Sequence, residues 1–418
     1  MKRRSLDSLT SLTAILHLDP GGDQHAHLAR ARLAQAIEQG RIDWDALMGF
    51  ARQHLLGPAL WPAMLAGNLA NPLPDAMRAF LVQRLNATGH RHYLLALEQE
   101  YRANIARNAE IRRQAMDVIA ILNAAGIEPA VLKGTRVILA GQSPFAGARM
   151  LRDIDLVVPG DGWARAQTAL GDAGYRHVGE AAHAAAFMHA DGGVELDLHR
   201  RPLSLHQPLP LPFYLEEEGF WPSTKPLDLA GLSCRQLPHA ENLVHLILHT
   251  EIADLNFAAG DWPLRYLYET AVITRTQASA LDWDVLARVG AGDLQNAMKA
   301  HLYAARRLFG AAVPAGFAEE WAQRRHYLRC RANARHPRSI RRIAILLYKL
   351  RQAMAPWYLV SKGFYRPAGA DGQSGVDRRR GLWAARLRAI GALLRNHLRH
   401  LPRLLFGAGD NGIPPPRV

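Results

Sequence analysis

The chain has 418 residues, 49% of them hydrophobic and 21% charged, with 34 Gly and 24 Pro. That composition is ordinary for globular domains and excludes wholesale disorder, collagen-like repeats and a disulfide-stapled miniprotein. Only two cysteines occur, Cys234 and Cys330, too few to staple this length or to build a cysteine zinc site, a usage that fits a reducing compartment.

The formal charge of +14 is unevenly spread. Of 51 basic and 37 acidic residues, 21 and three lie beyond residue 320, a net of +18, which leaves 30 and 34, a net of −4, in the first 320. A near-neutral body therefore carries a basic appendage, and the whole chain is not a nucleic-acid binder on charge alone.

In chain order, Lys2, Arg3 and Arg4 precede a short apolar stretch, Leu12 to Leu18, that is interrupted by His17 and lacks a small-residue cleavage site. It makes a poor secretory signal, and no apolar run reaches the ~18 residues of a spanning helix, so the expected location is cytoplasmic, with the basic tail allowing peripheral membrane contact. Residues 24–125 read as helices, with apolar steps of three and four over 25–39, 44–54 and 93–125. Gly126 suits a helix C-cap, and Ala130-Val131-Leu132 reads as a short strand. A second strand, 153–158, is stopped by Pro159-Gly160-Asp161-Gly162, after which 163–173 reads as helix.

Asp191-Gly192-Gly193 separates two alternating runs, 187–190 and 194–199, and predicts a hairpin. The Pro-rich stretch 202–226 reads as an ordered loop. Helical segments follow near 239–251, 263–277, 282–289, 294–309, 316–330 and 340–355, then a linker at 367–377, a basic amphipathic region at 378–406 and a loose tail. The expected fold is α+β: a small mixed β-sheet core (126–237) between helical regions (1–125 and 238–366), ending in a linker and basic amphipathic tail (367–418).

The chemistry is expected in the mixed portion, which holds Leu132-Lys133-Gly134-Thr135, Arg152-Asp153-Ile154-Asp155-Leu156-Val157 and Glu195-Leu196-Asp197-Leu198-His199. Strand alternation puts Asp153 and Asp155 on one face and Ile154 and Leu156 on the other. Two adjacent carboxylates repel unless a cation joins them or one is protonated, and such hard oxygens suit Mg²⁺ or Mn²⁺. Asp197, on another strand, could add a third carboxylate, and three can hold two ions about 4 Å apart. An Asp-x-Asp pair alone carries no weight, since roughly one arises by chance in a chain this long. After the first strand, Gly134 allows backbone to approach a phosphate, Thr135 offers a hydroxyl and Lys133 a point charge. Solvated carboxylates at a strand entry are the plainer alternative for Asp153 and Asp155.

The order strand, Lys-Gly-Thr, helix, Arg-Asp-Ile-Asp-Leu-Val, then Val-Glu-Leu-Asp-Leu-His resembles the nucleotidyltransferases of the DNA polymerase β superfamily. More narrowly it resembles the bacterial, largely uncharacterised group in which Lys-Gly stands where others have Gly-Ser. The likeness covers about 127–205, weakening to about 277. It implies that Asp153, Asp155 and Asp197 ligate Mg²⁺ (Mn²⁺ as the substitute) and that Lys133, Gly134 and Thr135 bind the triphosphate. It also implies in-line attack by a hydroxyl or phosphate oxygen on the α-phosphorus of an NTP, with pyrophosphate leaving and Asp197 as base. Lys133 and Arg152 would add charge stabilisation. Arg152 could equally pair with Asp153 or Asp155, and Arg149 reads as structural.

Glu195 shares the face of Asp197 and is the second choice for the third acid; His199 follows on that face, for substrate or for a structural hydrogen bond. His245 and His249, four apart on a helix, read as core histidines rather than a zinc pair, because no His-Glu-x-x-His pattern occurs. The tail interleaves Arg378–Arg380 through Arg403 with Leu, Trp383, Ile390 and Phe406. Its alternatives are docking on the body, an anionic membrane or RNA. The expected function is NMP transfer to an unidentified acceptor (sugar phosphate, peptide, protein or RNA); the alternative is a degenerate NTP-binding scaffold.

Overall fold

The computed structural model describes residues 7–18, 24–66, 75–141, 145–181, 183–205, 209–290, 292–317, 321–334, 343–350, 354 and 382–392. The expected linker at 367–377 and tail at 407–418 lie outside these residues, as does all of 378–406 except 382–392. Two compact units are distinguished: Met1–Ser204, Pro210–Asp254 and Pro263–Tyr327 form one; Leu205–Leu209, Leu255–Trp262 and Leu328–Val418 form the other.

The first unit is α+β, as expected. Its seven-stranded mixed sheet comprises β1 (Ala130–Val131), β2 (Asp153–Val157), β3 (Tyr175–Ala181), β4 (Ala184–His189), β5 (Glu195–His199), β6 (Lys225–Pro226) and β7 (Arg235–Gln236), in the spatial order β3-β4-β5-β2-β1-β7-β6. The hairpin falls where Asp191-Gly192-Gly193 predicts it: Gly192 and Gly193 both take positive φ, and β4 pairs antiparallel with β5. The pairing that organises the site is the parallel one between β2 and β5.

Alternation then sorts the side chains. Ile154, Leu156, Leu196 and Leu198 point to one face and are fully buried with Ile111, Ala115, Val118, Ile119 and Leu122 of the long helix Arg91–Ala124 and with Ala166 and Leu170 of the helix Trp163–Asp172. Removing those apolar surfaces from water is the main force seating the sheet, at about 25 cal/mol per Å². The opposite face of the same strands is left for Asp153, Asp155, Asp197 and His199.

The helices sit close to the predicted ranges: Gln24–Glu38, Trp44–Gln53, Arg91–Ala124, His239–Leu248, Leu264–Thr276 and Asp293–Phe309. The apolar stretch after the basic N-terminus is core. Helix Ser8–Leu16 is N-capped by Asp7, whose side chain accepts from Thr10 N–H, and buries Leu12, Ile15 and Leu16 completely. Leu18 N–H then donates to the Phe309 carbonyl at 2.9 Å. The Pro-rich stretch hides a helix, Glu217–Ser223, and the two-residue pair β6–β7.

The second unit carries helical segments at 343–350 and 382–392. Within it, Asn333 Nδ2 donates to the Gly260 carbonyl at 3.0 Å. Among the described residues no helix is long and apolar enough to cross a membrane.

Candidate active site

A cleft of about 570 Å³ opens on the polar face of β2 and β5, lined by Lys133, Gly134, Arg149, Arg152, Asp153, Asp155, Asp197 and His199 among others. Register explains the convergence. Asp155 lies directly opposite Asp197, and Asp153 opposite Glu195, in the β2–β5 ladder. Donor atoms of Asp155, Asp197 and His199 all lie within 4.8 Å of one another. Asp153 lines the same cleft one alternation step along β2, whereas Glu195 is exposed at the start of β5.

Asp155 is the centre of the network and is only 2% exposed. Its Oδ1 accepts from Lys133 Nζ at 2.7 Å and from His199 Nε2 at 3.1 Å, while its backbone N–H donates to Thr135 Oγ1 at 2.8 Å. Burial alone would raise the Asp155 carboxyl; Lys133 and His199 outweigh it and hold the group well below the usual carboxylate range. Asp153 goes the other way, raised by burial and by the negative charge of Asp155, which Lys133 offsets only in part. Burial would lower the Lys133 ammonium, but Asp155 overrides it and raises it.

The Lys133-Gly134-Thr135 bend is built for these contacts. Lys133 takes φ +48°, a left-handed conformation that a lysine adopts only at a cost. Gly134 is needed for room: a Cβ there would stand 3.1 Å from Leu151 Cγ and 3.2 Å from Arg149 Nη2. Thr135 is fully buried and spends its hydroxyl on the Asp155 backbone.

The two arginines part company. Arg152 is exposed on the cleft wall, and neither Asp153 nor Asp155 is its ion-pair partner. Arg149 is 3% exposed, and its Nε lies 2.9 Å from Glu269 Oε2, a charge pair whose N–H is not aligned as a hydrogen bond. Its carbonyl accepts from Asn104 at 3.1 Å and Asn108 at 2.8 Å, both on the long helix.

Sequence reasoning missed Arg265 and Tyr266, which line the same cleft. Arg265 donates to the Met150 carbonyl at 3.2 Å and to the Tyr266 hydroxyl, and its guanidinium lies 4.4 Å from the Tyr266 ring centre. Burial and the nearby Arg149 lower its pKa. Its hydrogen-bond partners are neutral, so the positive charge faces the cleft without a directly bonded carboxylate. The only local signal was its place at a helix start after Pro263. His249 and Asp254 also border the cleft, at the start and the C-cap of a π-helical turn, His249–Ala253. His245 is fully buried and hydrogen-bonds the Pro202 carbonyl through Nε2 at 2.8 Å.

The donor set fits a divalent cation. Two carboxylates stand beside an imidazole whose Nδ1 is buried with no hydrogen-bond partner.

The sequence profile of a family described as uncharacterised nucleotidyltransferases matches residues 40–310. The chain belongs to that family. No curated protein and no solved structure matches the chain. As a member of the nucleotidyltransferase family, it has an NTP as its implied substrate, and the matched span contains every residue of the cleft named above.

Proposed function

We propose that this protein is an Mg²⁺-dependent nucleotidyltransferase that moves NMP from an NTP onto an acceptor oxygen and releases pyrophosphate. The observation that carries the reading is the opposition of Asp155 and Asp197 across β2–β5, with Lys133 bonded to the same carboxylate. Asp153, Asp155 and Asp197 would hold the metal, with His199 beside them and Mn²⁺ as the natural substitute. When bound, divalent ions would neutralise phosphate charge and make the attacking oxygen more acidic.

The residues divide the remaining work. Lys133, at the bend, and Arg152 and Arg265, on the walls, supply positive charge for the triphosphate, and Gly134 keeps the bend open to it. Asp197 accepts the proton of the attacking hydroxyl as the new P–O bond forms and the bond to pyrophosphate breaks. Thr135 and His199 fix Asp155 from its backbone and its Oδ1, so the carboxylates are oriented before substrate arrives. The acceptor belongs to the class of sugar phosphates, peptides, proteins or RNA ends.

The test is pyrophosphate release from a panel of NTPs with Mg²⁺ or Mn²⁺ and fractionated cell extract as acceptor source. Release that depends on metal and is lost in Asp197→Asn supports the reading. Nucleotide binding without turnover across all fractions replaces it with a scaffold function.

A further inference from the structure

Among the described residues of the basic last quarter, several large apolar side chains are exposed to solvent. In the helix 382–392, Ala385 and Ala389 are fully buried, whereas Trp383 and Leu387 are 54% and 66% exposed. Residues two apart on a helix are separated by about 200°, so these pairs occupy opposite faces. A helix that only packs on its own domain does the reverse, burying large side chains and exposing small ones. In the helix 343–350, Ile343 and Leu347, one turn apart, are likewise 57% and 60% exposed. Both segments belong to one compact unit, within which Arg386 Nε donates to the Met354 carbonyl at 3.1 Å. Arg386 also covers the Trp383 ring at 4.9 Å.

We propose that this unit docks on an anionic phospholipid surface. Trp383 and Leu387 enter the boundary between headgroups and acyl chains, aided by Ile343 and Leu347, and the neighbouring arginines sit on lipid phosphates. The net charge of +18 beyond residue 320 supplies the attraction, and indole with arginine is the pairing that suits a headgroup layer. RNA would satisfy the charge but not the aliphatic groups, because leucine and isoleucine have no π-face to stack on a base. Among the described residues no helix is long and apolar enough to cross a membrane, and the attachment proposed is interfacial. The inference is independent of the catalytic reading.

The experiment is flotation of the full chain with vesicles of phosphatidylcholine alone or with about 30% phosphatidylglycerol, at low and high salt, with a single-stranded RNA in parallel. Binding at least ~10-fold tighter to the anionic vesicles, weakened by salt and reduced ~10-fold in Trp383→Ser/Leu387→Ser, is expected. The lipid-composition comparison needs no variant; if the double change perturbs the circular dichroism spectrum, Ile343→Ser/Leu347→Ser serves in its place. Unchanged vesicle binding in a folded double variant overturns the proposal, as does RNA binding without vesicle binding.

Discussion

Asp155 faces Asp197 across a parallel ladder, and the pair shares its cleft with the partly buried Asp153. Asp153 is the costly member: burial and the negative charge of Asp155 disfavour its ionised form, and Lys133 offsets them only in part. Asp153→Asn relieves part of that repulsion. It should raise the melting temperature at neutral pH while lowering pyrophosphate release at least ~10²-fold. Calorimetry and the release assay check the two halves separately, and a fall in both would contradict the account.

Lys133 and Asp155 form a pair in which both partners are largely buried. Lys133→Met leaves the carboxylate with His199 as its one bonded side chain, and losing one partner of such a pair costs about 3–5 kcal/mol, less where another donor remains. Urea unfolding should show Lys133→Met well below wild type. Adding Asp155→Asn should recover part of the loss. Simple additivity of the two changes would mean that the pair is uncoupled.

Gly134→Ala presses a methyl group against Leu151 and the Arg149 guanidinium. Overpacking of this sort costs about 1–3 kcal/mol, and the shift falls on the bend that carries Lys133. Stability should drop within that range and activity should fall through kcat as well as KM. Wild-type behaviour would show that Arg149 yields freely.

His245 gives a pH signature. Burial, with a smaller contribution from His249, lowers its pKa from 6.5 to about 3. Between those values the unfolded chain binds a proton that the native one refuses, so stability is complete above pH 6.5 and is lost as pH falls toward 3. The slope from this group is about 1.4 kcal/mol per pH unit. His245→Gln keeps a donor for the Pro202 carbonyl and should flatten the acid limb of a stability–pH curve. An unchanged slope would assign acid sensitivity to other groups.

Much of the β2–β5 face was legible because strand periodicity and turn residues are local. Ile154 and Leu156 against Asp153 and Asp155, or Gly192-Gly193 between two runs, state their geometry within a few residues. What stayed hidden depends on distant partners or lacks a period. Arg235-Gln236 pairs with β1 as a two-residue strand, too short to alternate. Glu217–Ser223 is helical despite Pro222. Thr135 spends its hydroxyl on a residue 20 positions away, and Arg265 reaches the cleft from a helix more than 100 residues beyond β2. A lysine–glycine–threonine run says that the chain bends, not which carboxylate the lysine meets.

Arg149 ties three stretches of the gene into one object. Asn104 and Asn108 hold its carbonyl, Glu269 answers its charge, and Gly134 makes room for its guanidinium. A polypeptide trimmed to the strand-bearing span 126–237 would keep the acids yet lose both the asparagines that hold the Arg149 carbonyl and the glutamate that answers its charge. The smallest piece that keeps this cleft intact is therefore much larger than the motifs that line it.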